Sequence, residues 1–328
     1  MNRIWRILRI TLISLVALLA LAAALLAYFV YTPDPEPPPL TGTLTKSSMP
    51  FGGTTRVYRT YIPKGLPQGA ALVVVMHGSG EAGPAIRVGT GYGFERLADR
   101  YGFAVAYPNS LSFDWNDCGR VGDYAADGRE VDDVGFLLAL TDKLIAENGI
   151  ARERVFATGV SSGGFMALRL ALEAPARFRA VAAVAANVQT ADNFKCKPAV
   201  PLAPGTSVMI MNGTKDPLVP FEGGEVNLLG LFYKCGTVRS SRDSAQYFAD
   251  LNHLAGPPET KQAPVADGVG VERVLWRGDT KTEVELVAVH GGGHGMPQPY
   301  YRRPRLLGPS PMAPDGPALI WEFFARQR

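Results

Sequence analysis

The chain has 328 residues, of which 47% are hydrophobic and 19% are charged, and its formal net charge is +3 at pH 7. This composition excludes a disordered or fibrous protein and provides for a substantial buried core. Because Arg3, Arg6 and Arg9 lie at the N-terminus, the rest of the chain is nearly neutral, and we expect no nucleic-acid partner.

The N-terminal segment, residues 1–31, contains an uncharged apolar run from Ile10 to Tyr31. A helix of roughly 20 residues crosses a membrane, whereas the apolar part of a cleaved signal has about 7–15 residues. The length therefore favours an uncleaved membrane anchor, with its basic flank in the cytoplasm and the rest of the chain facing the periplasm or exterior. Small residues at Ala20, Ala22 and Ala24 also fit a cleavage site, which would make the protein secreted.

Residues 32–53 are predicted as a spacer and lead-in that starts with the Pro-rich stretch TPDPEPPPL. From residue 54 to 328 the chain alternates strand-like and helix-like segments. The predicted strands are TRVYRTYIP, ALVVVMH, FAVAYP, RVFATGV, RAVAAVAAN, SVMIMNG, VERVLWR and EVELVAVH. Helical patterns cover Phe94–Tyr101, Glu130–Gly149, the segment after RVFATGV, Ser244–Leu254 and Gly316–Arg328. This alternation predicts one α/β domain with a mostly parallel central sheet covered by helices on both faces.

A G-x-S-x-G pattern joins the strand RVFATGV to the apolar helix pattern FMALRLAL, and it is centred on Ser161. Centred on Ser162 the pattern fails, because Val160 stands where a glycine is needed. A serine on a sharp strand-to-helix turn projects its hydroxyl above the sheet, and flanking glycines avoid collisions with the adjacent strand and helix. Ser161 is therefore the candidate nucleophile.

A serine hydroxyl needs a base to accept its proton and an acid to orient that base. Among the four histidines, His294 follows three glycines on a loop beyond the last core strand, and we favour it over His290, which ends that strand. Asp216 follows the strand SVMIMNG and is favoured as the acid over the nearby Glu222 and Glu225. The expected oxyanion donors are the backbone N–H groups of two further residues, Ser162 and Ser79.

Three cysteines, Cys118, Cys196 and Cys235, lie far apart without zinc-ligand spacing. In an exported protein one disulfide is plausible. The sequence does not choose the pair. Cys196 with Cys235 is the pairing that we expect, and three separate thiols are the alternative.

Several segments together resemble the polyhydroxybutyrate depolymerase and feruloyl esterase group, including LpqC-like esterases. They are MHGSG, LADRYGFAVAYP, VDDVGFLLALTDKL, VFATGVSSGGFMALRLA, NGTKDPLVPFEGG and GGGHGMP, in the order of the family and over about residues 55–325. The resemblance implies an α/β-hydrolase fold with Ser161 as nucleophile, Asp216 as triad acid and His294 as base. In the VDDV segment we interpret Asp132 and Asp133 as capping or loop-fixing groups.

Two departures from the family lie near the expected substrate pocket. Met296 stands where relatives often carry tryptophan, and serine and glycine replace a cysteine-containing segment after the oxyanion strand. We predict Trp115, Phe113 and Met296 as substrate-binding residues. The alternative for the two aromatic side chains is that they seal the rim of the core.

The sequence therefore predicts a serine esterase that hydrolyses carboxylic esters, either small or polymeric, through an acyl-enzyme. The expected chemistry needs no metal or organic cofactor, and the expected partners are an ester substrate and, through the N-terminal segment, a membrane. A serine peptidase of the prolyl oligopeptidase type and an inactive hydrolase-like binding module are the two alternatives.

Overall fold

A computed structural model describes residues 2–112, 114–119, 130–197, 205–227, 235–266, 268–278 and 281–327. The N-terminal helix α1 spans Asn2–Val30. Its part from Arg3 to Val30 is long and apolar enough to cross a membrane, a property that signal sequences share. The helix is exposed along its length, and near its end Arg305 Nη1 donates a hydrogen bond of 3.0 Å to the carbonyl oxygen of Tyr28.

Within the described residues, twelve strands form the sheets of the domain. They are β1 (Thr43–Phe51), β2 (Thr54–Ile62), β3 (Ala70–Met76), β4 (Phe103–Pro108), β5 (Ile150–Val160), β6 (Ala180–Val184), β7 (Ser207–Gly213), β8 (Gly224–Glu225), β9 (Thr237–Val238), β10 (Glu259–Ala266), β11 (Val269–Arg277) and β12 (Glu283–Val289). Ten of them form one sheet in the order β1-β2-β4-β3-β5-β6-β7-β12-β11-β10, and β8 pairs with β9 separately. The six strands from β4 to β12 in this order are mutually parallel, and the two strands at each edge are antiparallel.

Helices cover both faces of this sheet because the central strands are apolar on both sides. All seven residues of β3 are buried, and alternate side chains belong to opposite apolar layers, for example Leu72 to one and Val73 to the other. The helices α4 (Asp133–Asn148), α5 (Ser162–Glu173) and α6 (Ser241–Leu251) pack in the first layer. The helices α2 (Gly83–Gly89), α3 (Gly93–Tyr101) and α7 (Gly316–Arg326) pack in the second layer. The predicted α/β-hydrolase fold is confirmed.

Two edge strands differ from the sequence-based expectation. β1 lies inside the range that the sequence predicts as spacer and lead-in, so the sheet begins at Thr43 rather than at residue 54. β10 had no strand prediction at all. Both strands are polar and largely exposed, so neither carries the apolar pattern from which a buried strand can be predicted. Each of them is held in the sheet by backbone pairing with its neighbouring strand.

The parallel arrangement brings three chain segments to one edge of the sheet. Ser161 follows β5, Asp216 lies three residues after β7, and His294 lies five residues after β12. Since the carboxyl ends of parallel strands share an edge, residues far apart in sequence meet there.

Candidate active site

Ser161 lies on the tight turn between β5 and α5. Its φ of 56° and ψ of −122° are unusual for a residue with a side chain. Two backbone hydrogen bonds fix this conformation, because Ser161 N–H donates to Val184 O at 2.9 Å and Phe165 N–H donates to Ser161 O at 2.9 Å. The turn thus holds the Ser161 hydroxyl at the carboxyl edge of the sheet.

The glycines around Ser161 are required by close backbone approach. A Cβ atom at Gly159 would overlap the backbone of Gly163, and one at Gly163 would overlap the carbonyl of Met76 at the end of β3. At Gly164 a Cβ would lie 2.7 Å from Val184 O. The predicted collisions with the adjacent strand and helix are confirmed, and they explain why this turn tolerates no side chain at these positions.

Asp216 and His294 form a buried pair at the same edge. His294 Nδ1 lies 2.8 Å from Asp216 Oδ2, and the side chains are 5% and 0% exposed respectively. The other carboxylate oxygen, Asp216 Oδ1, accepts hydrogen bonds from Leu218 N–H at 2.8 Å and Val219 N–H at 2.9 Å. The acid is therefore rigid, and it orients the imidazole so that Nε2 is the ring nitrogen that faces away from the carboxylate.

The loop that carries His294 is held by backbone contacts on two sides. His294 N–H donates to Leu307 O at 2.7 Å, next to the short 3₁₀ helix Arg305–Leu307. Lys215 N–H donates to Gly292 O at 2.8 Å, and a Cβ at Gly213 would overlap Gly292. The glycines of GGGHG thus let the loop cross directly over the end of β7.

The structure joins Asp216 to His294, and the hydrogen bonds of the described residues include none between Ser161 and His294. The remaining histidines are not placed as a base. His290 and His253 are exposed, whereas His77 is buried with Nδ1 2.8 Å from Gly78 O and Nε2 accepting from Ser110 N–H at 3.1 Å. Burial lowers the pKa of His77, so its ring is a neutral structural group with both nitrogens engaged.

A cleft opens beside Ser161. Ser79, Ser162 and Trp115 line it, and their roles as oxyanion donors and substrate contact stay predictions. The side chain of Met296 is 2% exposed and packs in the apolar layer that contains α7; it lines a separate small cavity with His294 rather than this cleft, and its substrate-binding role stays a prediction. The predicted pocket residue Phe113 lies outside the described residues.

Similarity to known proteins agrees with this geometry. The family model described as Esterase PHB depolymerase matches residues 56–200. The protein named "Putative esterase NocK" from Nocardia uniformis subsp. tsuyamanensis is 30% identical over 292 residues, which cover 85% of this chain and 81% of NocK. The chain belongs to the esterase PHB depolymerase family.

Two further comparisons identify a similar feruloyl esterase and a shared fold. Feruloyl esterase B from Neurospora crassa is 35% identical over 130 residues, 39% of this chain and 42% of that protein. The solved structure of acetyl xylan esterase from Aspergillus awamori shares the fold, with a TM-score of 0.54 at 18% identity over 77% of this chain and 94% of that chain. The prediction of a carboxylic ester hydrolase is confirmed.

The wall of the esterase cleft contains contacts that sequence reasoning missed. Trp115 donates from its backbone N–H to Ser162 Oγ at 3.0 Å and from its indole Nε1 to His77 O at 3.0 Å. Its side chain is 1% exposed, so it both lines the cleft and seals the core beneath it. The two alternatives posed for Trp115 are thus combined in one residue.

The VDDV segment of the esterase braces the same wall. Asp132 accepts from Gly135 N–H at 2.7 Å and caps α4, which confirms the expected capping role. Asp133 pairs with Arg56 Nη2 at 2.6 Å and accepts from Asn116 N–H at 2.9 Å, with both charged side chains buried. The ion pair therefore ties β2 and α4 to the loop that carries Trp115.

The disulfide of the esterase joins Cys118 to Cys196, with Cα atoms 4.8 Å apart. The expected pairing of Cys196 with Cys235 is wrong. Cys118 comes directly after the cleft wall, and Lys195 N–H donates to Cys118 O at 2.9 Å, so the loop after β6 is already paired to that wall by its backbone. This pairing arises from tertiary packing, and the spacing of the cysteines in the sequence does not indicate it.

Proposed function

We propose that the esterase is a serine hydrolase in which Ser161, His294 and Asp216 form a catalytic triad. The observation that supports this most is the presence at one sheet edge of a strained serine turn and a buried Asp–His hydrogen bond. Each of these features alone is common, whereas their combination on the loops after β5, β7 and β12 matches the chain order of α/β-hydrolase triads.

In the proposed first step, the Ser161 hydroxyl oxygen attacks the ester carbonyl carbon while His294 Nε2 accepts the hydroxyl proton. Asp216 accepts a hydrogen bond from Nδ1–H and stabilises the imidazolium that forms. This step requires a hydrogen bond between the Ser161 hydroxyl and His294 Nε2, and such catalytic contacts often tighten only when substrate binds.

The negative charge that develops on the carbonyl oxygen needs preorganised donors. We assign them to the backbone N–H groups of Ser162 and Ser79. Ser162 is the first residue of α5, where the N–H groups have no partner within the helix and the positive end of the helix dipole lies. Ser79 lines the cleft next to Ser161 on the loop after β3.

Collapse of the tetrahedral intermediate breaks the bond to the leaving alcohol, which takes its proton from His294. A water molecule then gives a proton to His294, attacks the acyl-enzyme and releases the carboxylic acid, and Ser161 regains its proton. These steps use only groups of this chain and water. Feruloyl and polyhydroxybutyrate-type esters, which the names of relatives and family contain, are the proposed substrate range.

The proposed site of action is outside the cytoplasm, with α1 as a membrane anchor. The apolar length of α1 and the disulfide between Cys118 and Cys196 support an oxidising compartment beyond a membrane. Removal of α1 as a signal sequence is the alternative.

Labelling with a fluorophosphonate probe tests the nucleophile and its location together. We expect one covalent adduct on Ser161, on a membrane-bound protein whose intact mass retains residues 10–31. Ser161→Ala is expected to lose the adduct and about 10⁴-fold or more of the hydrolysis of p-nitrophenyl butyrate. An adduct on Ser161→Ala would contradict the nucleophile, and a soluble labelled protein lacking residues 10–31 would contradict the anchor.

The matched control for the base is the second histidine of the same segment. His294→Ala is expected to abolish labelling and turnover, whereas His290→Ala is expected to retain both because His290 is exposed at the end of β12. A dipeptide amide serves as the alternative substrate. Turnover of the amide without turnover of the ester would favour a peptidase, and absence of any adduct would favour an inactive binding module.

A further inference from the structure

The cleft beside Ser161 carries acidic groups that the proposed mechanism does not use. Asp114 and Asp117 line it together with the amide side chain of Gln189, and the rest of its wall is largely apolar. Carboxyl groups are costly to place next to an apolar ligand surface unless they contact a polar part of the ligand. Their position therefore bears on which esters the cleft accepts.

Asp117 is held in place by its own loop. The backbone of the loop is fixed on both sides of Asp117 by the contacts of Trp115 and by the disulfide at Cys118. Asp117 Oδ1 accepts from Gly119 N–H at 2.6 Å, which leaves Oδ2 as the oxygen without a role in this turn. A carboxyl group fixed in this way is preorganised to contact a ligand.

The positively charged side chains near Asp117 on the described residues do not neutralise the charge of its carboxylate. Arg169 directs its guanidinium to Glu173 and to the carbonyl of Asn116, and Lys195 is exposed. Asp114 adds a second negative charge on the same wall. Burial raises the pKa of Asp117 to about 7, with Asp114 contributing in the same direction.

The cleft fits the acyl part of the ester. The leaving alcohol must lie next to His294, because His294 returns the proton to it. His294 is not a lining residue of the cleft, whereas Ser161 and the proposed oxyanion residues Ser162 and Ser79 are. The acyl chain is therefore the part that extends along the wall that carries Asp117.

We propose that Asp117 determines acyl specificity: it accepts a hydrogen bond from a hydroxyl group on the acyl chain and excludes acyl chains that end in a carboxylate. This inference rests on the proposed function, since it assigns the acyl side of the Ser161 site. A hydrogen bond to a charged acceptor favours the hydroxylated chain, and repulsion between two carboxylates in a partly desolvated cleft disfavours the acidic chain.

The test compares three p-nitrophenyl esters with six-carbon acyl chains, namely hexanoate, 6-hydroxyhexanoate and the monoester of adipate. In the native protein at pH 8.5, kcat/KM for the adipate ester is expected to be roughly 10- to 100-fold below that for hexanoate. The hydroxyhexanoate ester is expected to exceed hexanoate by up to about tenfold. A preference of less than about twofold in both comparisons would overturn the proposal.

Asp117→Asn is the informative variant because the amide oxygen can still accept from Gly119 N–H and keep the turn. We expect the adipate-to-hexanoate ratio to rise by about tenfold or more and the advantage of the hydroxyl to shrink. A merely structural role would leave both ratios unchanged. Asp114→Asn is the matched control with the same charge change on the same wall, and an equal effect there would overturn the assignment to Asp117.

The pH dependence gives a second readout. Because Asp117 with a pKa of about 7 is mostly protonated at pH 5.5 and ionised at pH 8.5, discrimination against the adipate ester is expected to grow between these values. Among the described residues, Asp114, Arg169 and Lys195 are the charged groups that act on Asp117, and Asp117→Asn is expected to flatten the profile. A profile that Asp117→Asn does not change would contradict the proposal.

Failure of the proposed function has a different signature. Hydrolysis of the hexanoate ester that is lost in Ser161→Ala supports the serine mechanism, whatever the selectivity ratios are. Hexanoate hydrolysis that persists in Ser161→Ala, or no hydrolysis by the native protein, would overturn the proposed function and this inference with it.

Discussion

The turns that carry Ser161, Asp216 and His294 differ from the cleft wall around Trp115 in how they are held. Backbone geometry and glycines position the three turns, through contacts such as Ser161 N–H to Val184 O and Lys215 N–H to Gly292 O. The wall instead depends on side chains from distant parts of the chain, including the Arg56–Asp133 pair and the Cys118–Cys196 disulfide.

This difference predicts two classes of variant. A change of a functional side chain on the three turns should remove chemistry and leave stability nearly intact, because the backbone holds the turn. A change in the wall should lower stability and alter selectivity, because side chains are themselves the structural supports. A turn variant that loses stability, or a wall variant that keeps both stability and selectivity, would show that the two regions are not held differently.

Asp216→Asn is expected to give the largest effect on catalysis. The amide oxygen can keep the contacts to Leu218 and Val219, but an amide N–H facing His294 Nδ1 favours the wrong tautomer of the ring. We expect kcat to fall about 10⁴-fold, equivalent to about 5.5 kcal/mol of transition-state stabilisation. Steady-state kinetics on p-nitrophenyl butyrate and thermal unfolding check this. A variant that unfolds instead of losing kcat would contradict the view that the backbone alone holds this turn.

Asp133→Ala is expected to give the largest effect on stability. It leaves the Arg56 guanidinium and Asn116 N–H without their buried acceptor, and Arg56 is only 2% exposed. We expect a loss of about 3–5 kcal/mol in the free energy of unfolding, measured by urea denaturation. Below the unfolding temperature, turnover of the butyrate ester should persist.

The double variant Arg56→Met with Asp133→Leu is the matched control, since it removes both charges together. Most of the lost stability should return, because no unpaired charge remains in the core. If the double variant is as unstable as Asp133→Ala, the ion pair is not the support of the wall.

The same difference explains what could be predicted from the sequence. The turn at Ser161 has a local signature, in which glycine spacing, the preceding apolar strand and the following helix all lie within about twenty residues. The central strands were predictable because their residues are apolar on both faces. The edge strand β10 was not, because its pairing with β11 leaves it exposed.

The wall had no comparable local signature. Asp117 lies in the segment WNDCG, whose turn-forming composition does not indicate a carboxyl group in the cleft beside Ser161. The two preceding residues, Trp115 and Asn116, contact Ser162, His77 and Asp133, which come from other parts of the chain, and only the assembled sheet brings them together. Met296, which is close in sequence to His294, lines a separate small cavity beside it rather than this cleft.

Removal of the disulfide is a further test of how the cleft wall is held, and we expect a smaller effect than that of the preceding variants. Cys118 and Cys196 are 78 residues apart, and closing a loop of this length contributes about 4.5 kcal/mol in the chain-entropy account, with about 2–4 kcal/mol typical of measured cases. The double variant Cys118→Ser with Cys196→Ser should lose stability in this range by urea denaturation. It should also weaken discrimination against the adipate ester, because the loop that fixes Asp117 is released.

Cys235→Ser is the matched control, as Cys235 lines the same cleft without belonging to the disulfide. We expect it to change the free energy of unfolding by less than about 1 kcal/mol. A double variant that keeps full stability and selectivity would mean that hydrogen bonds such as Lys195 N–H to Cys118 O suffice to hold the wall. The wall would then resemble the turns of Ser161, Asp216 and His294 in being positioned by its backbone, and the distinction between the two regions would fail.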